Sequence, residues 1–222
     1  MKRIPGLLIP LYIYPGFPWH DVIRTKQNYP AVPFLVVVNP RNGPGAFKDP
    51  KYAAGIKDFQ SAEITVLGYV FTSYGSRNRN EITQDIDSYS RWYGVDGIMF
   101  DEMSLSIESA EYYASLREFS KSRDAPLCLG NPGKALPEGY PLTMDIVNIY
   151  EDAGMPPDFT WSTYNSGTKL STIAHGVEDF GTVNLEKVSG LGYLFLTDGR
   201  LPNPYDRLPS YFSKLAEALS KF

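Results

Sequence analysis

The segment VDGIMFDE, residues 95–102, ends in two adjacent carboxylates, Asp101 and Glu102. Its valine, isoleucine, methionine and phenylalanine, interrupted by glycine, are typical of a strand that is buried on both faces. Two like charges at the end of such a strand repel each other, and burying either one unpaired is costly. The pair therefore either runs out into solvent, where one acid caps the next helix, or belongs to a site that uses carboxylates.

Apolar, β-rich runs recur along the whole chain and alternate with helical patterns. Helical periodicity is clearest over residues 81–94, 106–123 and 205–222. Alternating strands and helices indicate parallel βαβ units, and eight such units close into a (β/α)8 TIM barrel. The eight apolar runs are residues 7–14, 34–40, 63–72, 95–102, 126–133, 145–152, 170–177 and 191–199.

We therefore expect an α/β fold: a single compact (β/α)8 barrel domain over residues 1–222. The spacing between strand starts shortens before the sixth and the eighth strand, so the two helices there must be short or absent. A doubly wound open sheet is the main alternative. The turn after the first strand, YPGFPW, lacks the glycine-rich phosphate loop of many such sheets, which favours the barrel.

Composition excludes several classes of partner. A net charge of −4, a pI near 5.3 and the lack of any Lys/Arg cluster argue against nucleic acid. No run approaches the ~20 apolar residues of a membrane span, and the first ten residues lack the pattern of a signal peptide. Sixteen tyrosines suit stacking against sugar rings. We expect a monomer, and Cys128, in an apolar run, as a buried side chain.

Polar side chains collect where the predicted strands end. In a parallel barrel these carboxyl ends share one face, which carries the active site. Period-two alternation directs Asp101 into the barrel and Glu102 toward the helix layer, unless the strand ends one residue early. The second acid of a pair should come from another strand, and Glu151 is best placed, although it can also be read as a helix cap.

Two carboxyl groups that flank the scissile bond are the catalytic groups of glycoside hydrolysis. One protonates the leaving oxygen, and the other either attacks the sugar carbon or activates a water molecule. A metal site lacks ligands, because His20 and His175 are the two histidines of the chain. No GxSxG motif marks a nucleophilic serine, and no strand ends on the lysine base of an enolase-like site. We expect no metal and no cofactor.

Candidate substrate-binding residues surround these acids. Of the tyrosines at strand ends, we expect at least two to line the pocket and the others to pack under helices. The two asparagines each precede a proline, so they either shape the pocket or form turns. The histidine is either structural or a hydrogen-bonding partner of the substrate, and the tryptophan can serve as a sugar platform. These candidates are Tyr12, Tyr14, Tyr69, Tyr74, Asn39, Asn131, His175 and Trp161.

The chain resembles the spherulation-specific family 4 proteins, a group of (β/α)8 glycoside hydrolases. The resemblance spans the chain and rests on the order and spacing of PLYIYPG, VVVNPRNGPG, VLGYVFTSYG, DGIMFDE, NPGK, IYED, GYLFLTDG and PYDRLPSYF. It implies an endo-acting enzyme for α-1,4-linked N-acetylgalactosamine in galactosaminogalactan, an exopolysaccharide of fungal biofilms. It also implies that the functional carboxylates are Asp101, Glu102 and Glu151.

The resemblance further implies an extracellular or cell-surface protein, whereas a complete chain without a leader would be cytoplasmic. A carbohydrate-binding protein without turnover, built on the same barrel, is the alternative function. The same tyrosines and amides would serve it, but binding alone does not call for opposed carboxylates.

Overall fold

The computed structural model describes residues 5–140, 143–155, 169–188 and 190–221. Its strands are β1 (Gly6–Leu11), β2 (Phe34–Val38), β3 (Thr65–Phe71), β4 (Gly97–Asp101), β5 (Leu127–Asn131), β6 (Ile146–Ala153), β7 (Lys169–His175) and β8 (Tyr193–Leu196). They pair in parallel in sequence order, and β8 pairs with β1 to close the barrel. The predicted (β/α)8 fold is confirmed, and an open doubly wound sheet is excluded.

The strands are buried on both faces, as their unbroken apolar sequences predict. Every residue of β1 and β2 is buried. On β3, a Cβ atom at Gly68 would lie 2.6 Å from the ring of Tyr89, so glycine is needed for the helix layer to pack directly on the strand. Because side chains alternate along a strand, the next residue, Tyr69, is directed into the barrel.

Five α-helices lie in the described residues. The helix after β3 begins at the cap residue Asn78, whose side chain accepts from Asn80 N, and ends at Gly94 in the left-handed conformation. It matches the prediction over residues 81–94. The helices are α1 (Phe17–Asn28), α2 (Pro50–Ser61), α3 (Arg79–Tyr93), α4 (Ala110–Lys121) and α5 (Phe212–Leu219).

The last helix is shorter than the predicted range of residues 205–222. It begins at Phe212. Pro209 disfavours a helix that runs on from residue 205, because a proline in a helix interior removes a backbone hydrogen bond and clashes with the preceding turn. The preceding segment instead forms a loop that turns two tyrosines inward. Tyr205 reaches the carboxylate of Glu151, and Tyr211 donates to the carbonyl oxygen of Val177 at 2.7 Å.

Connections are short where the strand spacing predicts short ones. The described residues between β5 and β6, 132–140 and 143–145, contain no helix. Two 3-10 turns, Phe180–Thr182 and Leu185–Val188, lie between β7 and β8. The loop after β5 contributes residues 132–134 to the pocket described next.

Candidate active site

A cavity of about 560 Å³ opens at the carboxyl ends of the strands. Its lining comes from the ends of β4 to β7, from Tyr12 after β1, from Tyr74 after β3 and from the loop after β8. Four carboxylates face it, against the one ammonium group of Lys134 in that lining. The acids are Asp101, Glu102, Glu151 and Asp152.

The chain turns directly after Asp101, the last residue of β4. Glu102 has a backbone φ of 51°, in the left-handed region that L-residues other than glycine adopt infrequently. Its carbonyl oxygen accepts hydrogen bonds from Tyr74 N and Thr72 Oγ1, each at 2.8 Å, which hold the turn. The strand thus ends one residue early, and Glu102 lines the cavity beside Asp101 instead of entering the helix layer.

A β-bulge in β6 aims Glu151 into the barrel. On β7, Ser171 is the partner of Asn148 and Ile173 is the partner of Glu151, so the register slips by one residue between them. Strict alternation would send Asn148 and Glu151 to opposite faces, because they are three residues apart. The extra residue reverses the parity, and both side chains point to the interior.

Asn131 joins the two acids. It is the last residue of β5, which lies between β4 and β6, and it is buried. Its Nδ2 donates to Asp101 Oδ1 at 2.7 Å and to Glu151 Oε2 at 2.6 Å. One amide nitrogen therefore spans the carboxylates of two different strands and fixes how far apart they lie.

Each carboxylate also has a tyrosine of its own. Tyr205 Oη donates to Glu151 Oε1 at 2.5 Å. Tyr69, whose hydroxyl pKa is raised by burial, lies near enough to Asp101 for the charge of that carboxylate to raise the pKa further. Tyr12 lies between these tyrosines, with its ring edge-to-face to both, at centroid distances of 5.5 Å from Tyr69 and 5.6 Å from Tyr205. The three rings form one aromatic cluster beside the acids.

The surroundings of Glu151 shift its titration. Burial raises the pKa of Glu151, and the charge of Asp101 raises it further, against the opposing hydrogen bonds from Tyr205 and Asn131. Burial and the nearby carboxylates also raise the pKa of Tyr205 and of Tyr69, so both hydroxyls remain protonated donors. Glu151 is thus biased toward the protonated form.

The structure separates the four candidate tyrosines. Tyr12 and Tyr74 line the cavity, and Tyr69 is buried and does not belong to its lining. Tyr14 is 54% exposed and not part of this pocket; its hydroxyl donates to Asp49 Oδ2 at 3.1 Å, and its ring packs edge-to-face on Tyr52 of α2. The chain has left β1 at that point, so strand alternation no longer governs where Tyr14 points.

The remaining candidates also divide. His175, the last residue of β7, lines the cavity. Asn39 does not belong to this cavity: its Oδ1 accepts from Gly43 N at 2.9 Å, which is the behaviour of a turn former. Trp161 lies outside the described residues.

Two contributors were not predicted from sequence. Tyr205 lies 54 residues from Glu151 in the chain, in a proline-rich loop that has no strand to predict its direction. Asn148 is an amide within the apolar run DIVNIYED, and it is fully buried. A polar side chain in the middle of a buried strand was the available signal, because such a group must find a partner inside the barrel.

Other kinds of site receive no support from the described ranges. They contain no group of three or more His, Cys, Asp or Glu side chains placed to hold a metal ion. Cys128 is buried, and burial raises the pKa of its thiol to about 12, which is unsuited to a nucleophile. None of the described helices is long and apolar enough to cross a membrane.

A closed (β/α)8 barrel with a carboxylate-lined pocket at the carboxyl ends of its strands defines the class of this protein, which has a glycoside hydrolase-like fold. The chain belongs to spherulation-specific family 4, whose family model matches residues 6–219. The family resemblance seen in the sequence motifs is thereby confirmed.

Individual relatives agree with this assignment. Spherulin-4 from Physarum polycephalum is 32% identical over 232 residues, covering 96% of this chain and 69% of that protein. The crystal structure of Aspergillus clavatus Sph3 in complex with GalNAc matches with a TM-score of 0.83 at 26% identity, covering 97% of each chain. A glucosidase from Croceicoccus marinus shares the fold alone, with a TM-score of 0.58 at 11% identity, covering 99% of this chain and 66% of that one. The family and the Sph3 match indicate a carbohydrate-related function.

Proposed function

We propose that the protein is an endo-acting glycoside hydrolase that cleaves α-1,4-linked N-acetylgalactosamine or galactosamine polymers. The observation that carries this proposal is the pair of hydrogen bonds from Asn131 Nδ2 to the carboxylates of Asp101 and Glu151. Two acids from different strands, held at a set separation in a pocket, are what glycoside hydrolysis requires and what sugar binding alone does not.

The separation supports hydrolysis with retention of anomeric configuration. Asp101 Oδ1 and Glu151 Oε2 cannot be further apart than the sum of their two hydrogen-bond lengths to Asn131 Nδ2, which are 2.7 Å and 2.6 Å. Retaining enzymes space their carboxyl groups by about 5–5.5 Å, whereas inverting enzymes leave roughly 6.5–9.5 Å for a water molecule. The bridge therefore favours direct attack by one carboxylate on the sugar.

The raised pKa of Glu151 supports a division of roles between the two acids. Glu151, with its raised pKa, is suited to protonate the leaving oxygen and then to take a proton from the attacking water. Asp101 is then the nucleophile: its oxygen bonds to the anomeric carbon as the glycosidic bond breaks, and water later releases the sugar. Glu102 lines the same cavity and is assigned to substrate contact.

The substrate class rests on the Sph3 structure and on the charge of the pocket. Sph3 was crystallised with GalNAc, and this chain matches it over 97% of its length. The excess of carboxylates over lysine in the pocket favours a glycan that carries free amino groups, because a cleft of one charge attracts ligands of the other. Tyr12 and Tyr74 offer ring faces for stacking.

An endo mode is supported by a second cavity beside the first. This cavity, of about 680 Å³, includes Gly176 and Arg200 in its lining. These are the immediate chain neighbours of His175 and Leu201, which line the first cavity. The loops after β7 and β8 thus contribute to both cavities, which favours a binding surface longer than one sugar.

The test is to incubate the purified protein with α-1,4-linked N-acetylgalactosamine and galactosamine polymers and to follow product lengths by mass spectrometry. We expect shortened oligosaccharides from the wild type, and a loss of turnover by several orders of magnitude in Asp101→Asn and Glu151→Gln. Matched controls are Asp58→Asn and Glu111→Gln, which make the same changes at exposed helix positions. A folded wild type that binds these polymers without shortening them would support the carbohydrate-binding alternative instead.

A further inference from the structure

Two polar residues lie deep in the barrel below the acids. Asn148 on β6 and Ser171 on β7 are register partners, and both are fully buried. Ser171 Oγ donates to Asn148 Oδ1 at 3.2 Å, and Asn148 Nδ2 donates to Asn131 Oδ1 at 2.8 Å. Burying an amide and a hydroxyl costs free energy unless each is hydrogen-bonded, and here each is.

The chemistry of the carboxylates sets the direction of every bond in this chain. Asp101, the proposed nucleophile, is ionised and accepts only, so Asn131 must present its NH₂ group to Asp101, and the same nitrogen donates to Glu151. Its Oδ1 then faces away and accepts from Gly133 N at 3.0 Å and from Asn148. Asn148 must therefore present its own NH₂ group, which leaves its oxygen to accept from Ser171. The donors point in one direction, from Ser171 to the acids.

We propose that Asn148, supported by Ser171, is a positioning residue for the carboxylate pair: it locks the side-chain amide of Asn131 in the orientation that donates to both Asp101 and Glu151. This inference rests on the proposed function. Asn148 itself touches neither acid, so its influence passes through Asn131.

Loss of the lock has a defined consequence. Without Asn148, Gly133 N is the remaining donor to the oxygen of the Asn131 amide, and the side chain of Asn131 can tilt away from the two acids. Tilting weakens the hydrogen bonds from Nδ2, and the hydrogen bond from Asn131 is one that lowers the pKa of Glu151. Glu151 then stays protonated to a higher pH.

Other groups around the pair are unchanged by such a substitution, so they do not account for a pH effect. They come from every element that packs against the acids. These titratable neighbours are Tyr12, Tyr69, Glu102, Lys134, Asp152, His175 and Tyr205.

The experiment compares Asn148→Leu and Asn148→Ser with the wild type and with Thr172→Val. Thr172 is the next residue on β7, and its buried hydroxyl has no hydrogen-bond partner among the described residues, so it controls for the loss of a polar group. In both Asn148 variants we expect kcat to fall about 10- to 100-fold with KM within about twofold, since small misplacements of reacting groups have effects of this size. The basic limb of the kcat profile should move to higher pH.

A double substitution gives a further readout. If Asn148 acts through Asn131, then Asn131→Ala with Asn148→Ser should lose no more activity than Asn131→Ala alone. Additive losses, or Asn148 variants that melt earlier but keep the wild-type kcat and pH profile, would overturn the positioning role.

A measurement without substrate separates this inference from the proposed function. Carboxyl ¹³C NMR titration should show Glu151 losing its proton at higher pH in Asn148→Ser than in the wild type. That result in a protein that cleaves no polymer would contradict the proposed function and leave the positioning role standing. An unchanged titration would overturn the positioning role even in an active enzyme.

Discussion

Asp101 and Glu151 accept hydrogen bonds from one and the same atom, Nδ2 of Asn131, at 2.7 Å and 2.6 Å. Because β5 lies between β4 and β6, its last residue can reach the strand ends on both sides. The bridge offsets part of the repulsion between two acids in a buried pocket, and Tyr205 offsets more by donating to Glu151.

Glu151→Gln should stabilise the folded protein at neutral and alkaline pH while it abolishes activity. The pKa of Glu151 is raised in the folded state, so its contribution to stability is complete below the unfolded value of about 4.3 and declines as the pH rises through the folded value. Glutamine carries no charge, and it can turn its NH₂ group to Tyr205, whose hydroxyl also accepts.

Thermal melting from pH 4 to pH 8 provides the measurement. We expect Glu151→Gln to melt higher than the wild type at pH 8, by about 2–4 °C for each kcal/mol relieved, with the difference shrinking toward pH 4. A variant that melts below the wild type at pH 8 would show that ionised Glu151 does not destabilise the folded protein.

Tyr205→Phe should move the pH profile of the enzyme. The hydrogen bond from Tyr205 lowers the pKa of Glu151, so its loss lets the pKa rise. The general acid then remains protonated to higher pH, and the basic limb of kcat/KM shifts upward, with a fall in kcat/KM of about 10-fold. Tyr211→Phe is the matched control, because Tyr211 donates to the carbonyl oxygen of Val177, outside the cavity. Equal pH profiles for Tyr205→Phe and the wild type would show that the hydrogen bond from Tyr205 does not set the pKa of Glu151.

Tyr74 and Tyr14 form a natural pair for testing sugar stacking. Both are exposed tyrosines in loops after strands, but Tyr74 lines the cavity and Tyr14 does not. By isothermal titration with an inactive background, Tyr74→Ala should weaken oligosaccharide binding by about 5- to 10-fold, the equivalent of about 1 kcal/mol. Tyr14→Ala should leave binding unchanged. The reverse order of effects would place the glycan on the other side of the barrel mouth.

Much of this architecture follows from the sequence. The eight apolar runs predicted the eight strands, and their order predicted which ends share a face, so Asp101, Asn131, Glu151 and His175 were expected together. Each of these residues is the last residue of a strand or lies within the last three residues of one, where the pairing of the sheet sets the path of the chain.

What could not be predicted depends on departures from regular structure. The bulge in β6 changes the direction of Glu151, and no period-two argument reveals where an extra residue enters a strand. The left-handed turn at Glu102 depends on hydrogen bonds from Thr72 and from Tyr74 in another loop. Tyr205 reaches the site from a loop that the helical pattern of residues 205–222 obscured.

The most direct test of the central claim is the anomeric configuration of the first products, followed by ¹H NMR during digestion of an α-1,4-linked N-acetylgalactosamine polymer. If Asp101 attacks the sugar and Glu151 serves as acid and then as base, the new reducing ends appear first as the α-anomer and only later equilibrate. New reducing ends that appear first as the β-anomer, or no new reducing ends from a folded protein, would contradict the proposed roles of Asp101 and Glu151.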